Sequence, residues 1–375
     1  MLITGKKLEN KPWPRECIDD IFYVDDSKDD WNMTHVEYGL AHLMRKKRID
    51  RIAALDDFDV EKGAMLRETF RIPGMGQTTH RYFRDKLAMR MKAQEEGVKV
   101  PAFTSLFHDE DINNYMAKHS APWLVKPRAE ASATGIKKVH SSEEAWAHIH
   151  SLGDQRHNFL MEQFKPGDVY HIDAVTNNGK VMFVRSSKYL STPFEVAHGG
   201  GIFRSVTLPM NGTEDKALLK LNDQVLKAFG MNYSASHTEA IRCHEDGEYY
   251  FLETSSRVGG ANLAEMVEAA TSVNLWREWA KIEFAQGTNT TYEAPKARKE
   301  YAGIVVSLIR EKNIDHRHYF NAPEVVWTMS NMEYHAGVIV KSSDPKRVME
   351  LLDEYAAIIG RDLHASAPPS SKPSN

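Results

Sequence analysis

One β-hairpin limits what this chain can fold into more than any other segment. Residues 235–256 read ASHTEAIRCHEDGEYYFLETSS, two apolar and aromatic runs around Asp246-Gly247. Asp-Gly between such runs marks a tight turn, and two loop lengths compete. With Asp246-Gly247 as a two-residue loop, Glu245 faces Glu248, and Glu239 and Glu253 point to opposite faces of the sheet. With Glu245-Asp246-Gly247 as a three-residue loop and Gly247 left-handed, His244 faces Glu248 and Glu239 lies directly opposite Glu253. In that register Ile241 meets Phe251 and Cys243 meets Tyr249, an apolar face leading up to the two glutamates. Like charges directly opposite one another destabilise a sheet, so the second register makes sense with a cation between them. Oxygen-only ligation suits Mg²⁺, which takes one or two carboxylates together with substrate phosphates. The plainer alternative is that one glutamate faces solvent.

The hairpin is a small part of a chain of 375 residues, which is too long for one ordinary core and predicts two or three domains. A net charge of −4 gives no basic footprint for nucleic acid or an anionic membrane. No apolar run approaches the roughly 18 residues of a membrane span, and residues 1–16 lack an apolar signal-peptide core. A cytoplasmic location is the expectation. Cys17 and Cys243 supply neither a disulfide framework nor a zinc spacing and read as reduced thiols.

Residues 1–85 alternate strands (MLITG, one within IDDIFYVDD, IDRIAAL) with helical patterns (THVEYGLAHLMRKKR, DVEKGAMLRETF), which predicts a parallel α/β domain. It lacks the Gly-rich turn with which such domains often open, so it is either small or begins one βα unit late. After the helix RDKLAMRMKAQEE the style changes. PWLVKPRAEASATGIKKVHS reads strand, loop, strand, and residues 157–190 give three strands with a turn at Asn177-Asn178-Gly179. This predicts an antiparallel α+β block. Asp344 and Pro345 open a last helix, and the Pro/Ser tail 366–375 has nothing to bury and is expected to be disordered.

Several polar groups stand where anions could be held. Lys126 ends the apolar strand PWLVKP and is a point charge suited to phosphate. The small residues after it, with Ser132, Thr134 and Gly135, let backbone N–H groups approach an anion; a flexible hairpin loop is the plainer alternative. Lys86 opposes the dipole of the helix it opens, which a nearby phosphate would explain. The segment Glu162-Gln163-Phe164 crosses between two blocks, where unpaired backbone groups could read an adenine edge.

In order, Lys86 in DKLAMR, Lys126 in LVKP, the small-residue loop, Glu162 in MEQFKPG, then Glu239, Glu253 and Arg257, resemble the ATP-grasp superfamily over roughly residues 70–290. The resemblance is nearest to carboxylate–amine ligases, the class of D-alanine–D-alanine ligase, L-amino-acid ligases and biotin carboxylase. It implies an N-terminal domain over 1–85 and a two-lobed ATP-grasp domain with antiparallel sheets, a small lobe over 86–160 and a large lobe over 161–365. Lys86 and Lys126 would hold the phosphates of ATP. Ser132 to Gly135 would close over them. Glu162, Gln163 and Phe164 would take adenine. Glu239 and Glu253 would hold Mg²⁺, with Mn²⁺ as a substitute, and Arg257 would face the substrate carboxylate or the transferring phosphate. Two positions depart from the family pattern. Ser255 replaces an asparagine among the metal ligands, and the ribose position falls on Val169, leaving Asp168 to serve.

The implied reaction activates a carboxylate as an acyl phosphate, which an amine then attacks. Its partners are small carboxylates and amines, and a homodimer is compatible. His237, His198, Lys188 and Arg204 could approach the site, though no motif supports them. A phosphotransferase on the same scaffold and a non-catalytic nucleotide-binding regulator are the competing readings.

Overall fold

The computed structural model describes residues 1–27, 31–130, 134–191, 196 and 200–366. Ser132, His198 and nearly all of the 366–375 tail lie outside the described residues.

At the N-terminus β1 (Leu2–Gly5) runs parallel to β2 (Ile21–Val24) in a sheet of two strands. The helix Met33–Met44, capped by Asn32, lays Val36 and Leu40 against Val24 and Leu66. The expected third strand, IDRIAAL, does not form. The Arg67 fork donates to the Ile52 carbonyl through Nε (3.0 Å) and an Nη (2.7 Å), so that acceptor goes to a side chain instead of a sheet ladder.

A four-stranded antiparallel sheet comes next, with β3 (Phe103–Ser105), β4 (Trp123–Pro127), β5 (Lys137–Val139) and β6 (Phe159–Gln163) in the order β3-β6-β4-β5. The two-residue period decides what each side chain meets. Trp123, Val125 and Met161 enter a core with Ile112 and Ile149 of the helices Asp109–Lys118 and Ser142–Ser151. Leu124, Lys126 and Glu162 face the other way.

An eight-stranded sheet forms the rest of the frame. Its strands are β7 (Gly167–Asn177), β8 (Lys180–Tyr189), β9 (Phe203–Thr207), β10 (Ser234–Cys243), β11 (Tyr249–Ser255), β12 (Tyr301–Leu308), β13 (Val325–Thr328) and β14 (His335–Ser342). They lie in the order β11-β10-β7-β8-β9-β12-β14-β13, each antiparallel to its neighbours. Asn178 and Gly179 turn β7 into β8 with φ of 51° and 69°, as a two-residue hairpin turn requires. The helix Thr213–Ala228 covers Tyr170, Ile172 and Phe251 on one face. Helices Leu263–Thr271 and Leu275–Thr288 pack on the other, around Val175, Ala235 and Trp279.

The hairpin over residues 235–256 is β10–β11, and Glu239 is directly paired with Glu253. The route to that pairing differs from expectation. Cys243 N–H donates to the Glu248 carbonyl and Gly247 N–H to the Cys243 carbonyl, so the loop is His244 to Gly247, with Gly247 left-handed at φ 71°. Near the loop Ala240 pairs with Phe251 and Arg242 with Tyr249. Phe251 therefore joins Ala240 in the core beneath the helix Thr213–Ala228, instead of facing Ile241. A β-bulge at Leu252 then restores the Glu239–Glu253 pair. A bulge inserts one residue into one strand and re-aims the side chains beyond it. Leu252 and Glu253, which ordinary alternation would send to opposite faces, both line the same cavity.

Candidate active site

That cavity, of about 730 Å³, lies between the two antiparallel sheets. Lys86, Lys126, Thr134, Glu162, Gln163 and Phe164 line it, and so do Glu239, Glu253, Ser255 and Arg257. Gly135 stands beside Thr134 with φ 71°, where an added Cβ would come within 2.9 Å of Pro127.

On the β10–β11 side, Glu239, Glu253 and Ser255 share a face. Lys86 Nζ lies 2.7 Å from Glu253 and donates to the Glu130 carbonyl at 2.6 Å. Asp85 caps this helix by accepting from Leu87 and Ala88. Burial by itself would push the Glu253 carboxyl up; Lys86, with Lys126 and Arg90 behind it, holds it at about 2. Glu239 accepts from the Tyr189 hydroxyl at 2.9 Å and lies 3.6 Å from His237 Nε2. Both carboxylates are thus already faced by positive or donating groups. Three oxygen donors on one face, with an ammonium standing against one of them, suit a hard divalent cation such as Mg²⁺.

Across the cavity is a buried triad. Glu162 bonds Lys126 Nζ through one oxygen and Arg90 Nε through the other, at 3.0 Å. Arg90 and Glu162 are 0% and 2% exposed. The Arg90 guanidinium also donates to the carbonyl of Leu252, the bulge residue. Burial opposes ionisation of Glu162, yet the two cations hold its carboxyl below the ordinary range. Burial, aided by repulsion from Arg90, lowers Lys126 to about 8 despite Glu162. Sequence reasoning overlooked Arg90, although it lies one helical turn beyond Lys86 and so shares its face.

Other expectations meet a different geometry. The N–H groups of Gln163 and Phe164 are not left open, because they donate to the carbonyls of Ala102 (2.8 Å) and Pro122 (3.1 Å). Asp168 pairs with Arg242 in the β7–β10 ladder, one residue out of phase with the His171–Glu239 pair. It therefore faces away from Glu239 and binds Lys188 Nζ at 2.9 Å, so a ribose contact does not fit its placement. Arg257 does face the cavity, but its Nε donates to Asp57 at 2.8 Å and a terminal nitrogen meets the same oxygen. Arg204 is bound to Asp353 at 2.8 Å.

His237 lines the cavity, as does His244. Asp173 Oδ1 lies 2.8 Å from His237 Nδ1, and Asp173 Oδ2 lies 2.7 Å from His171 Nδ1. Burial would lower His237, but the Asp173 carboxylate, with help from Glu239, lifts it to about 10. Among the described residues no helix is long and apolar enough to cross a membrane.

No protein-family model matches the chain. It is 28% identical over 279 residues to the L-arginine-specific L-amino acid ligase of Bacillus subtilis, a match covering 73% of this chain and 66% of that protein. It is 22% identical over 193 residues to the D-alanine–D-alanine ligase of Neisseria gonorrhoeae, covering 50% and 63%. The matches thus span a little under two thirds of each of these two relatives. Among solved structures, the L-amino acid ligase of Bacillus licheniformis superposes with a TM-score of 0.70 at 17% identity, covering 94% of this chain and 88% of that one. The biotin carboxylase domain of the Hydrogenobacter thermophilus 2-oxoglutarate carboxylase, solved with MgADP and bicarbonate, superposes with a TM-score of 0.69 at 13% identity, covering 98% and 85%. A small parallel sheet, two antiparallel sheets closing on a cavity, and the superposition on these solved structures agree on one assignment: the chain has the ATP-grasp fold.

Proposed function

We propose that the chain is a Mg²⁺-dependent ligase that uses ATP to join a carboxylate to an amine, with an amino acid among its substrates. The observation that carries this reading is the direct Glu239–Glu253 pair, facing a cavity that Lys86 and Lys126 also line. The sequence relatives, named as ligases of amino acids, support the substrate class.

In this reading a carboxylate oxygen attacks the γ-phosphorus of ATP, and ADP leaves with the electron pair of the bridging oxygen. The amine nitrogen then attacks the acyl carbon, phosphate leaves, and the amine gives up a proton. When bound, Mg²⁺ neutralises the phosphate oxygens and draws charge from the transferring group. Glu239 and Glu253 hold it, with the Ser255 hydroxyl beside them. Lys86 and Lys126 bind phosphate oxygens, and Lys86 exchanges Glu253 for them. Glu162 keeps Lys126 in place and has lone pairs left for the adenine amino group. Phe164, whose ring lies 3.6 Å from Lys138 Nζ, and the Gln163 carbonyl border the base. Thr134 and Gly135 close over the phosphates. Arg257 turns from Asp57 toward the substrate carboxylate.

The test is ADP release with Mg²⁺-ATP across pairs of amino acids, beginning with L-arginine, with products read by mass spectrometry. An amide-linked product is expected. A stable phosphorylated product without an amide would make the protein a phosphotransferase, and no turnover with any pair would favour a regulatory module.

Lys126 adds a pH dependence. Its folded value near 8 means the cation is lost at a pH where an ordinary lysine keeps it. Affinity for ADP, measured by calorimetry, is expected to fall from about pH 7 to about pH 9.5. In Lys126→Arg, whose charge does not titrate there, the fall should disappear. Parallel curves for the two proteins would remove Lys126 from the phosphate site.

A further inference from the structure

Behind Glu239 runs a buried string of side chains that the reaction itself does not use. His171 Nε2 lies 2.8 Å from Ser205 Oγ, and its Nδ1 donates to Asp173 Oδ2 at 2.7 Å. The other Asp173 oxygen accepts from His237 Nδ1 at 2.8 Å. His237 Nε2 then lies 3.4 Å from the Tyr189 hydroxyl and 3.6 Å from Glu239 Oε1, the oxygen to which Tyr189 donates at 2.9 Å. The strand register places these groups together. His171 is paired with Glu239 and Asp173 with His237 across β7 and β10, so all four share one face of the sheet.

The backbone makes room for this string. A Cβ at Gly259 would lie 2.8 Å from His237 Nδ1 and 2.9 Å from Asp173 Oδ1. Only glycine lets the chain after Arg257 pass over the pair without pushing it aside. His171 and Asp173 are fully buried, and both Asp173 oxygens are used. The nitrogens and oxygens of His171, Asp173 and His237 come within 4.8 Å of one another, close enough to suggest a cation of their own. Hydrogen bonds already join those same atoms, so the cluster is satisfied without one.

We propose that Asp173, acting through His237, and Tyr189, acting directly, are positioning residues that set the orientation of Glu239 toward the divalent cation. The proposal rests on the reading of Glu239 and Glu253 as metal ligands. The physical case is that a carboxylate on a strand can rotate, whereas a metal site needs it in one orientation. Asp173 fixes the His237 ring with Nδ1–H toward itself, which turns Nε2 toward Glu239. Tyr189 fixes Oε1 and leaves the second oxygen to face the cavity. Outer groups that orient a metal's ligands typically alter affinity or activity by about 10- to 100-fold.

The experiment is titration of Mn²⁺ into the protein–ADP complex, read by electron paramagnetic resonance, for wild type, Tyr189→Phe, Asp173→Asn and Glu239→Gln. Tyr189→Phe and Asp173→Asn are expected to bind Mn²⁺ about tenfold more weakly, with metal-free ADP affinity and cooperative melting unchanged. Under turnover they should need more Mg²⁺ and recover kcat when it is saturating, a split that a merely loosened fold would not produce. Should Asp173→Asn fail to fold, Tyr189→Phe, which removes a single hydroxyl and keeps the ring, carries the test. Wild-type Mn²⁺ affinity in the folded positioning variants, with loss in Glu239→Gln, would overturn the proposal. Wild-type affinity in Glu239→Gln would instead overturn the metal reading beneath it.

Discussion

Glu253→Gln is expected to stop nucleotide turnover, lowering kcat by about 100- to 1000-fold or more, while the protein folds as before. The side chain is nearly isosteric, so the hairpin and its bulge should keep their shape. What changes is charge at the point where two anions, the substrate carboxylate and the γ-phosphate, must meet. Glu253 stays ionised because Lys86 stands 2.7 Å away. Glutamine leaves Lys86 without that anion and offers a divalent cation a neutral oxygen in place of a charged one. Removing a single preorganised electrostatic contact from an active site costs about 2.7–4 kcal/mol of transition-state stabilisation, and a metal ligand acts on more charge than one hydrogen-bond donor does. ADP release at saturating Mg²⁺, with circular dichroism as the folding control, measures it. Turnover near the wild-type rate would show that Glu253 is not a metal ligand.

The largest stability effect is expected at Glu162. Glu162→Gln keeps the volume but strands Lys126 and Arg90 as two buried cations around a neutral amide. Breaking a buried ion pair from one side costs about 3–5 kcal/mol, because the partner's desolvation is no longer offset. The triple replacement Arg90→Met, Lys126→Met, Glu162→Leu removes all three charges and should lie closer to wild type in urea midpoint than the single change does. If the single variant is the more stable of the two, the triad is not behaving as a desolvated charge cluster. Acid should act on the same group. The folded carboxyl lies below its ordinary value of 4.5, so its contribution is complete above that pH and is lost as the pH falls through the folded value. Glu162→Gln should flatten that part of the acid limb.

How far the sequence reached depended on the distance along the chain over which each contact acts. The hairpin, the Asn178-Gly179 turn and the helix opened by Asp344 are set within a few residues, and all were legible. The pairing of Glu239 with Glu253 was one of two registers the sequence left open, and its cause was not legible, because nothing about Leu252 as a residue marks a bulge. The bulge is supported from outside the hairpin, by Arg90, 162 positions away. The same limit explains Asp168, whose face is set by the phase of β7 against β10, and Arg257, whose partner Asp57 is 200 positions distant. IDRIAAL has strand-forming residues, yet the Arg67 fork takes the Ile52 carbonyl. Asp173 could not be joined to His237 until those two strands were in register. Arg90 was within reach, since helical spacing from Lys86 already placed it on the inner face.

Arg90 also constrains movement. Its guanidinium touches Glu162 in the four-stranded sheet and the Leu252 carbonyl in the eight-stranded sheet, while its backbone belongs to the helix that carries Lys86. Any rotation of one sheet against the other that keeps these bonds must turn about a point near that side chain. Displacement then grows with distance from it, so a small angular change brings the far rim of the cavity in while the floor holding Lys126 and Glu253 stays still.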